Sequence, residues 1–434
     1  MTINSPTIVS QIKYSIFREC ISESACKVLE HLNKSGFNAY LVGGCVRDLL
    51  LGYKPKDFDV ATDATPEQVR ELFPNSRLIG RRFRLAHVRF KRNIVEVSTF
   101  RAPPSEKLLD HNGRIIDDNI YGTLEQDAWR RDFSINALYY DIRTNSVIDY
   151  TGGITDLENH QLRLIGDPIV RYQEDPVRML RAVRFMCKLS FHLHPESKEA
   201  IYQLASTLQN IPPARLFEEV IKLFLNGYAV QAFNLLRNFG LFQWLFPETE
   251  AYLVQGDRFS QFFLEQALIN TDNRVLEEKP VTAAFLFAVF LWVPIKKLID
   301  QYPDSKKIGE LIRRSVENVF INQSRHITLP RRVSLPMKEI WYLQSRFKYQ
   351  QGMRAVRLLQ HPRFRAAYDF LLLRNQAGEH PNGQDTNLCQ WWDKVQSMEE
   401  KEQLNYLNPK KSRSNCSKTK KFKPKLNQPI SVDG

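Results

Sequence analysis

Two aspartates one residue apart, Asp57 and Asp59 in Lys56-Asp57-Phe58-Asp59-Val60, follow a glycine pair at Gly43-Gly44, with Asp57 standing 13 residues after Gly44. Side chains at i and i+2 of a β-strand share a face. A strand over Asp57 to Thr62 therefore presents two carboxylates about 7 Å apart along the chain. Hard divalent cations such as Mg²⁺ take one or two carboxylates plus phosphate oxygens. A glycine pair lets backbone N–H groups approach those phosphates. The combination implies a metal-dependent nucleotide site.

The flanking sequence supplies the elements that must hold these residues. Ala25, Val28, Leu29 and Leu32 form the apolar stripe of a helix over residues 22–35, with Gly36 at its stop position. Ala39 to Val42 reads as a strand running into the glycine pair, and Val46 to Leu51 as a short helix closed by Gly52. Pro66 opens a further helix at its first position. Strands over Leu85 to Phe90 and Ile94 to Phe100 complete a small mixed sheet, which ends near residue 155 after Gly152-Gly153. From about residue 165 the pattern turns helical, with starts at Asp175-Pro176, Pro195 and Pro212-Pro213. The expected fold is α+β: an extension and helix over 1–37, a head over 38–160, a helical neck over 161–255, a helical body over 256–408 and a disordered basic tail over 409–434.

Composition narrows the class. At 434 residues with 43% hydrophobic and 25% charged residues, the chain is an ordinary globular one, long enough for several cores. Residues 1–11 have no basic segment followed by an apolar run, so no secretory leader is expected. The apolar stretch Ala283 to Val293 is too short to span a bilayer and reads as a buried helix. Six scattered cysteines without CxxC spacing speak against a zinc module or a disulfide framework, and a reduced, cytoplasmic setting is the expectation. The net charge of +13 is concentrated: Pro409 to Lys425 carries seven lysines and Arg413 with no acid. Such a run is a solvated tail, an electrostatic arm for nucleic-acid phosphates, or both.

The run GGCVRDLLLG followed by KDFDV resembles the nucleotidyltransferase superfamily of DNA polymerase β type, in the bacterial branch holding CCA-adding enzymes and poly(A) polymerases. The resemblance implies that Asp57 and Asp59 hold Mg²⁺ ions that clamp an in-line displacement by an RNA 3′-hydroxyl. Arg47 is a fork-shaped phosphate donor, or else an ion-pair partner of Asp48. A third carboxylate has two candidates. Asp132 lies in Arg130-Arg131-Asp132-Phe133-Ser134-Ile135-Asn136-Ala137, which is similar to the R-R-D-F-T-x-N-A motif of that branch and gives Arg131 and Asp132 active-site roles. Glu96, in Ile94-Val95-Glu96-Val97, is placed to face the aspartate strand. Strand geometry favours Glu96 and motif favours Asp132; the motif is the stronger signal, and Asp132 is the expected third catalytic carboxylate.

Glu174-Asp175-Pro176-Val177-Arg178 resembles the E-D-x-x-R motif that reads the incoming base. A carboxylate at Asp175 accepts from an exocyclic amine while Arg178 donates to the adjacent ring nitrogen. Adenine and cytosine satisfy both groups, whereas guanine and uracil leave both unpaired. The same helix carries Met179, Leu180, Val183 and Met186 as a core stripe, and Arg178, Arg181 and Arg184 as a basic stripe opposite it. Separation of A from C falls to Leu78 to Val88, which looks like the stretch distinguishing bacterial poly(A) polymerases from CCA-adding relatives. Two further segments, residues 211–219 and 361–370, carry the same resemblance.

Its implication is template-independent addition of AMP from ATP to RNA 3′ ends with release of pyrophosphate, promoting mRNA polyadenylation and decay. The nearest alternative is CCA or A addition to tRNA; a catalytically silent RNA-binding protein is a more distant one, against which Asp57, Asp59 and Asp132 speak. Gly43, Gly44, Arg47, Arg131, Asp175, Arg178, Arg181 and Arg184 would bind the nucleotide. Arg81, Arg82, Lys410, Lys411, Arg413, Lys418, Lys420 and Lys421 would contact RNA.

Overall fold

The computed structural model describes residues 6–10, 18–80, 84–91, 93–103, 120–302, 307–379 and 385–408. The chain divides into two compact units. The first is Met1–Pro247 with Val275–Glu277 and Arg325–Thr328; the second is Glu248–Arg274, Glu278–Ser324 and Leu329–Gly434.

The first unit opens with β1 (Thr7–Ser10) and α1 (Glu23–Lys34), whose first turn is capped where the Ala25 N–H donates to Ser22 Oγ at 3.2 Å. Then come β2 (Ala39–Val42), α2 (Gly44–Leu50), β3 (Asp59–Thr62) and α3 (Pro66–Leu72). A reciprocal Thr65–Gln68 capping box starts α3 with Pro66 at its first position. The strands β4 (Ser76–Ile79), β5 (Leu85–Phe90) and β6 (Asn93–Thr99) lead to α4 (Leu124–Arg130), β7 (Leu138–Asp141), β8 (Ser146–Asp149) and α5 (Gly153–Glu158).

These strands form one eight-stranded sheet in the order β1-β8-β7-β2-β3-β6-β5-β4. Only the β3–β6 pair within it is parallel. The central strand β2 is buried on both faces. Leu41 joins one core with Val28, Val60 and Val97, while Tyr40 and Val42 join a second with Tyr139 and Phe100. Alternate side chains of one strand thus tie both layers to the sheet.

Sequence periodicity marks β2, β5 and β6 but misses β1, β4, β7 and β8, so the sheet is larger than expected. The strand expected over Asp57 to Thr62 begins only at Asp59. The cause is geometric: Asp59 pairs with Val42, the last residue of β2, after which the partner chain turns into α2. No β2 residue is left to pair with Asp57, which is exposed two residues ahead of the strand.

The helical part of the first unit follows. A two-residue strand β9 (Gln161–Leu162) precedes α6 (Pro168–Glu174) and α7 (Val177–Leu189). Next come β10 (His192–Leu193), α8 (Pro195–Leu204), α9 (Pro213–Phe224) and α10 (Ala229–Asn238). Met179, Leu180 and Val183 are fully buried on α7, the stripe that periodicity predicts; Met186 is only half-buried.

The second unit is helical. Its apolar helix Ala283–Asp300 is buried nearly continuously from Ala284 to Ile295, and Trp341 Nε1 donates to Ala288 O at 3.1 Å. A further core gathers Phe347, Phe364, Tyr368 and Trp392. Among the described residues no helix is long and apolar enough to cross a membrane.

Candidate active site

The glycine pair turns where β2 meets β3. Gly43 adopts φ +77° and ψ −131°, a conformation that L side chains rarely adopt. A Cβ there would stand 3.6 Å from Arg131 Nη1 and 3.8 Å from Asn136 O. Gly43→Ala is expected to lower the unfolding free energy by about 1–3 kcal/mol through backbone strain alone, read as a fall in urea midpoint. Gly44 opens α2, so backbone N–H groups at that end have no helical acceptor.

Asp59 stands beside this turn, and the parallel pairing of β3 with β6 sets Glu96 directly alongside it. Burial, the negative charge of Glu96 and that of Asp57 push the Asp59 carboxyl up to about 6, against the opposing pull of Arg131. A partly buried carboxylate repelled by two others is an environment that a cation relieves. Among the described residues no group of three or more His, Cys, Asp or Glu side chains is arranged to hold a metal by itself. A hard divalent cation held by one or two of these carboxylates would draw its remaining ligands from substrate phosphates and water.

The two candidates for a third carboxylate separate clearly. Glu96 is half-exposed beside Asp59, and its Oε1 meets His87 Nε2 at 3.1 Å across the β5–β6 pair. Asp132 is bound elsewhere: Oδ1 accepts from Phe133 N at 2.8 Å and Asn136 Nδ2 at 3.2 Å, and Oδ2 accepts from Arg181 Nε at 2.7 Å. Burial would raise its carboxyl, but the Arg181 guanidinium and these hydrogen bonds override that and hold it at about 2. A folded-state value below the ordinary one contributes stability above pH 4 that is lost as pH falls toward 2. Asp132→Asn is expected to cost about 2 kcal/mol at pH 7. The gap from the parent should shrink below pH 4, as followed by urea denaturation.

The segment around Asp132 also frames the glycine turn. Arg131 donates through Nε (3.0 Å) and Nη2 (2.8 Å) to Asp127 Oδ2, and Tyr139 Oη donates to the same oxygen at 2.6 Å. Burial opposes the charge on Arg131, yet Asp127 raises its affinity for the proton, so the guanidinium is fixed and charged with Nη1 toward Gly43. Close packing supports the loop: a Cβ on Gly153 of α5 would lie 2.3 Å from Ser134 O, and Ser134 Oγ donates to Asp156 Oδ2 at 2.6 Å. Arg47 is 2% exposed and donates from Nε to Asp48 Oδ1 (2.8 Å) and from Nη1 to Asn136 Oδ1 (2.6 Å). Its pair with Asp48 therefore exists, in the interior rather than on the surface.

On α6 and α7 the structure brings Asp175 and Arg178 one turn apart, each held by a different partner. Asp175 Oδ1 accepts from Val177 N at 3.3 Å, and Oδ2 accepts from Arg215 Nη2 of α9 at 2.7 Å. Arg178 Nη1 donates to Glu174 Oε2 at 2.9 Å and to Arg171 O at 2.6 Å, while its Nη2 has no partner among the described residues. The basic stripe expected on α7 is present, with each guanidinium paired to a carboxylate. Arg178 is buried on Glu174, Arg181 is paired with Asp132, and Arg184 Nη1 is on Glu219 Oε2 at 3.1 Å. Guanidiniums this far from water need a carboxylate or acceptor. Phe185 lies beneath Arg47, Arg181 and Arg184, with ring distances of 5.1–5.4 Å.

Sequence reading did not single out Asp127, Tyr139, Glu219, Arg215 or Phe185. Only Asp127 carried a local signal, its i, i+4 spacing to Arg131. Arg81, Arg82, Lys410, Lys411, Arg413, Lys418, Lys420 and Lys421, named as RNA contacts, lie outside the described residues.

The site has recognisable relatives. Residues 39–163 match the Poly A polymerase head domain, residues 190–253 the probable RNA and SrmB-binding site of polymerase A, and residues 307–426 the polymerase A arginine-rich C-terminus. Poly(A) polymerase I of Salmonella typhimurium (strain LT2) is 47% identical over 412 residues, covering 93% of this chain and 88% of the relative. Poly(A) polymerase I of Haemophilus influenzae (strain Rd) is 42% identical over 438 residues, covering 94% and 96%. The crystal structure of the Bacillus stearothermophilus CCA-adding enzyme in complex with CTP has a similar fold. It gives a TM-score of 0.55 at 24% identity over 87% of this chain and 84% of that one. The chain belongs to the bacterial poly(A) polymerase I family.

Proposed function

We propose that this chain adds AMP from ATP to RNA 3′ ends without a template, releasing pyrophosphate. The observation that carries this reading is Asp59, set beside the Gly43-Gly44 turn and alongside Glu96 in a chain alike in sequence, over nearly its whole length, to poly(A) polymerases. Asp57 and Asp59 would hold Mg²⁺. When bound, the cation lowers the barrier by activating the 3′-hydroxyl and neutralising charge on the triphosphate.

The Gly44 N–H and the Arg131 Nη1 donate to phosphate oxygens, and Gly43, whose own N–H goes to Leu138 O at 3.3 Å, shapes the turn that admits them. Arg47 holds the floor of that turn through Asp48 and Asn136 and adds positive charge. Asp132 completes the site with Arg131, clamping Arg181 against the loop, and Glu96 is the carboxylate that geometry sets nearest Asp59. Asp175 accepts the adenine amine and Arg178 Nη2 donates to the neighbouring ring nitrogen; Arg184 pairs with Glu219 on α9, the helix whose Arg215 holds Asp175. Arg81, Arg82 and the tail lysines guide RNA in the cytoplasm, by contacts that weaken steeply with salt.

Incubating the protein with a 5′-labelled unstructured RNA, ATP and Mg²⁺ tests the reading. It predicts a ladder of products one nucleotide apart, absent with EDTA or with a 3′-deoxy end. A ladder that survives the 3′-deoxy end would contradict attack by the 3′-hydroxyl.

A further inference from the structure

Glu174 Oε2 is shared by two guanidiniums: Arg171 Nη1 at 2.7 Å and Arg178 Nη1 at 2.9 Å. All three side chains are largely buried. The other end of Arg171 does something different. Its Nη2 donates to Arg130 O at 2.7 Å and to Arg131 O at 2.6 Å, the carbonyls where α4 ends. Those carbonyls have no acceptor role left within the helix, so Arg171 supplies their donor. Residues immediately beyond them are the Arg131 side chain facing Gly43 and Asp132 clamping Arg181.

A continuous path of charge-assisted bonds thus runs from Arg178 through Glu174 and Arg171 to the backbone at Arg130 and Arg131. Two cations on one carboxylate oxygen compete for it. Burial and the charge of Arg178 hold the Arg171 guanidinium down to about 10. Any acceptor that draws Arg178 toward a base shifts how Glu174 divides itself between the two arginines. Arg171 feels that change, and it grips the loop that carries Arg131.

We propose that Arg171 is a positioning residue that couples the Arg178 base reader to the Arg131–Asp132 loop, so that a correct base raises turnover and not only binding. The proposal rests on the assignment of Asp175 and Arg178 to base reading. Lysine at position 171 keeps a charge but cannot bridge Glu174 and two carbonyls at once.

The test compares ATP with 1-deazaadenosine triphosphate, which keeps the amine and lacks the ring nitrogen that Arg178 serves. In the parent, deleting the ring nitrogen should lower kcat by at least about 10-fold. In Arg171→Lys the kcat with ATP should fall by about 10- to 100-fold toward that of the analogue, with KM changed less than about 3-fold. The ring-nitrogen effect on kcat should therefore largely vanish. Glu174→Gln, which breaks the path at its centre, should do the same and stands in should Arg171→Lys fail to fold.

A ring-nitrogen effect on kcat that stays at its parental size in both variants overturns the proposal, even if both are slower. That pattern would mark Arg171 as a cap for α4 and nothing more. Arg178→Ala separates the two layers. If that variant loses the ring-nitrogen effect while Arg171→Lys keeps it, the coupling alone is wrong. If Arg178→Ala keeps it, the base reading falls and the coupling falls with it.

Discussion

Asp59→Asn is expected to slow AMP addition by at least about a thousandfold while making the metal-free protein more stable at pH 8. Both effects follow from the same crowding. Burial, Glu96 and Asp57 push the Asp59 carboxyl up to about 6, so its ionised form is disfavoured in the folded state. A folded-state value above the ordinary 3.8 means stability that is present at low pH and lost as pH rises through about 6. The amide carries no charge to be disfavoured. The variant should therefore gain about 1–2 kcal/mol over the parent at pH 8, allowing for solvent contact, and nothing below pH 4. Added Mg²⁺ should narrow the gap by stabilising the parent alone. Urea denaturation at pH 4 and pH 8, with and without Mg²⁺, measures this. A variant that is inactive and also less stable at pH 8 would mean Asp59 holds structure rather than cation.

The second large effect lies in base choice. Asp175 presents two acceptor oxygens, one fixed by Val177 N–H and one by Arg215, and cannot donate. A base with a carbonyl at that edge meets only repulsion, and leaving a buried polar group unpaired costs about 1–3 kcal/mol. Asp175→Asn can turn its NH₂ toward that carbonyl. It should lower kcat/KM for ATP by about 100-fold and relax the preference for ATP over GTP and UTP by a comparable factor. Arg178→Ala should lower use of ATP and CTP alike, because both bases present the ring nitrogen it serves. Competition among the four nucleotides on one RNA primer reads the ratios directly. An Asp175→Asn variant as slow as expected but with unaltered nucleotide ratios would remove Asp175 from base recognition.

How far these roles could be seen in the sequence depends on how local their causes are. The proline starts of α3, α8 and α9 and the core stripe of α7 rest on neighbours within a turn or two, and the structure has them where the local sequence predicts. The four missed strands lack that advantage. β7 is buried on both faces and carries no alternation, β4 is short and half-exposed, and β1 pairs across a long stretch of chain on β8, which itself pairs on β7. The start of β3 was set by its partner, since β2 ends at Val42 opposite Asp59.

At the site, motif spacing pointed to Asp57, Asp59, Arg131, Asp132, Asp175 and Arg178, but it could not show what each one touches. Glu96 meets Asp59 through strand register, Asp132 meets Arg181 over 49 residues, and Asp175 meets Arg215 over 40. Of the carboxylates that pair with the basic stripe on α7, Glu174 lies only four residues before Arg178, but Asp132 beyond α4 and Glu219 on α9 come from far along the chain. Long-range pairing of buried charge is a property of the packed chain, and no window of local sequence contains it.

Nucleotide choice is the most direct measurement of the central claim. Purified protein is offered ATP or CTP, with either an unstructured RNA or a tRNA lacking its 3′ end. The account predicts long tails from ATP on the unstructured RNA and little use of CTP on either substrate. Efficient CTP incorporation into the tRNA, with no long tail on the unstructured RNA, would contradict it.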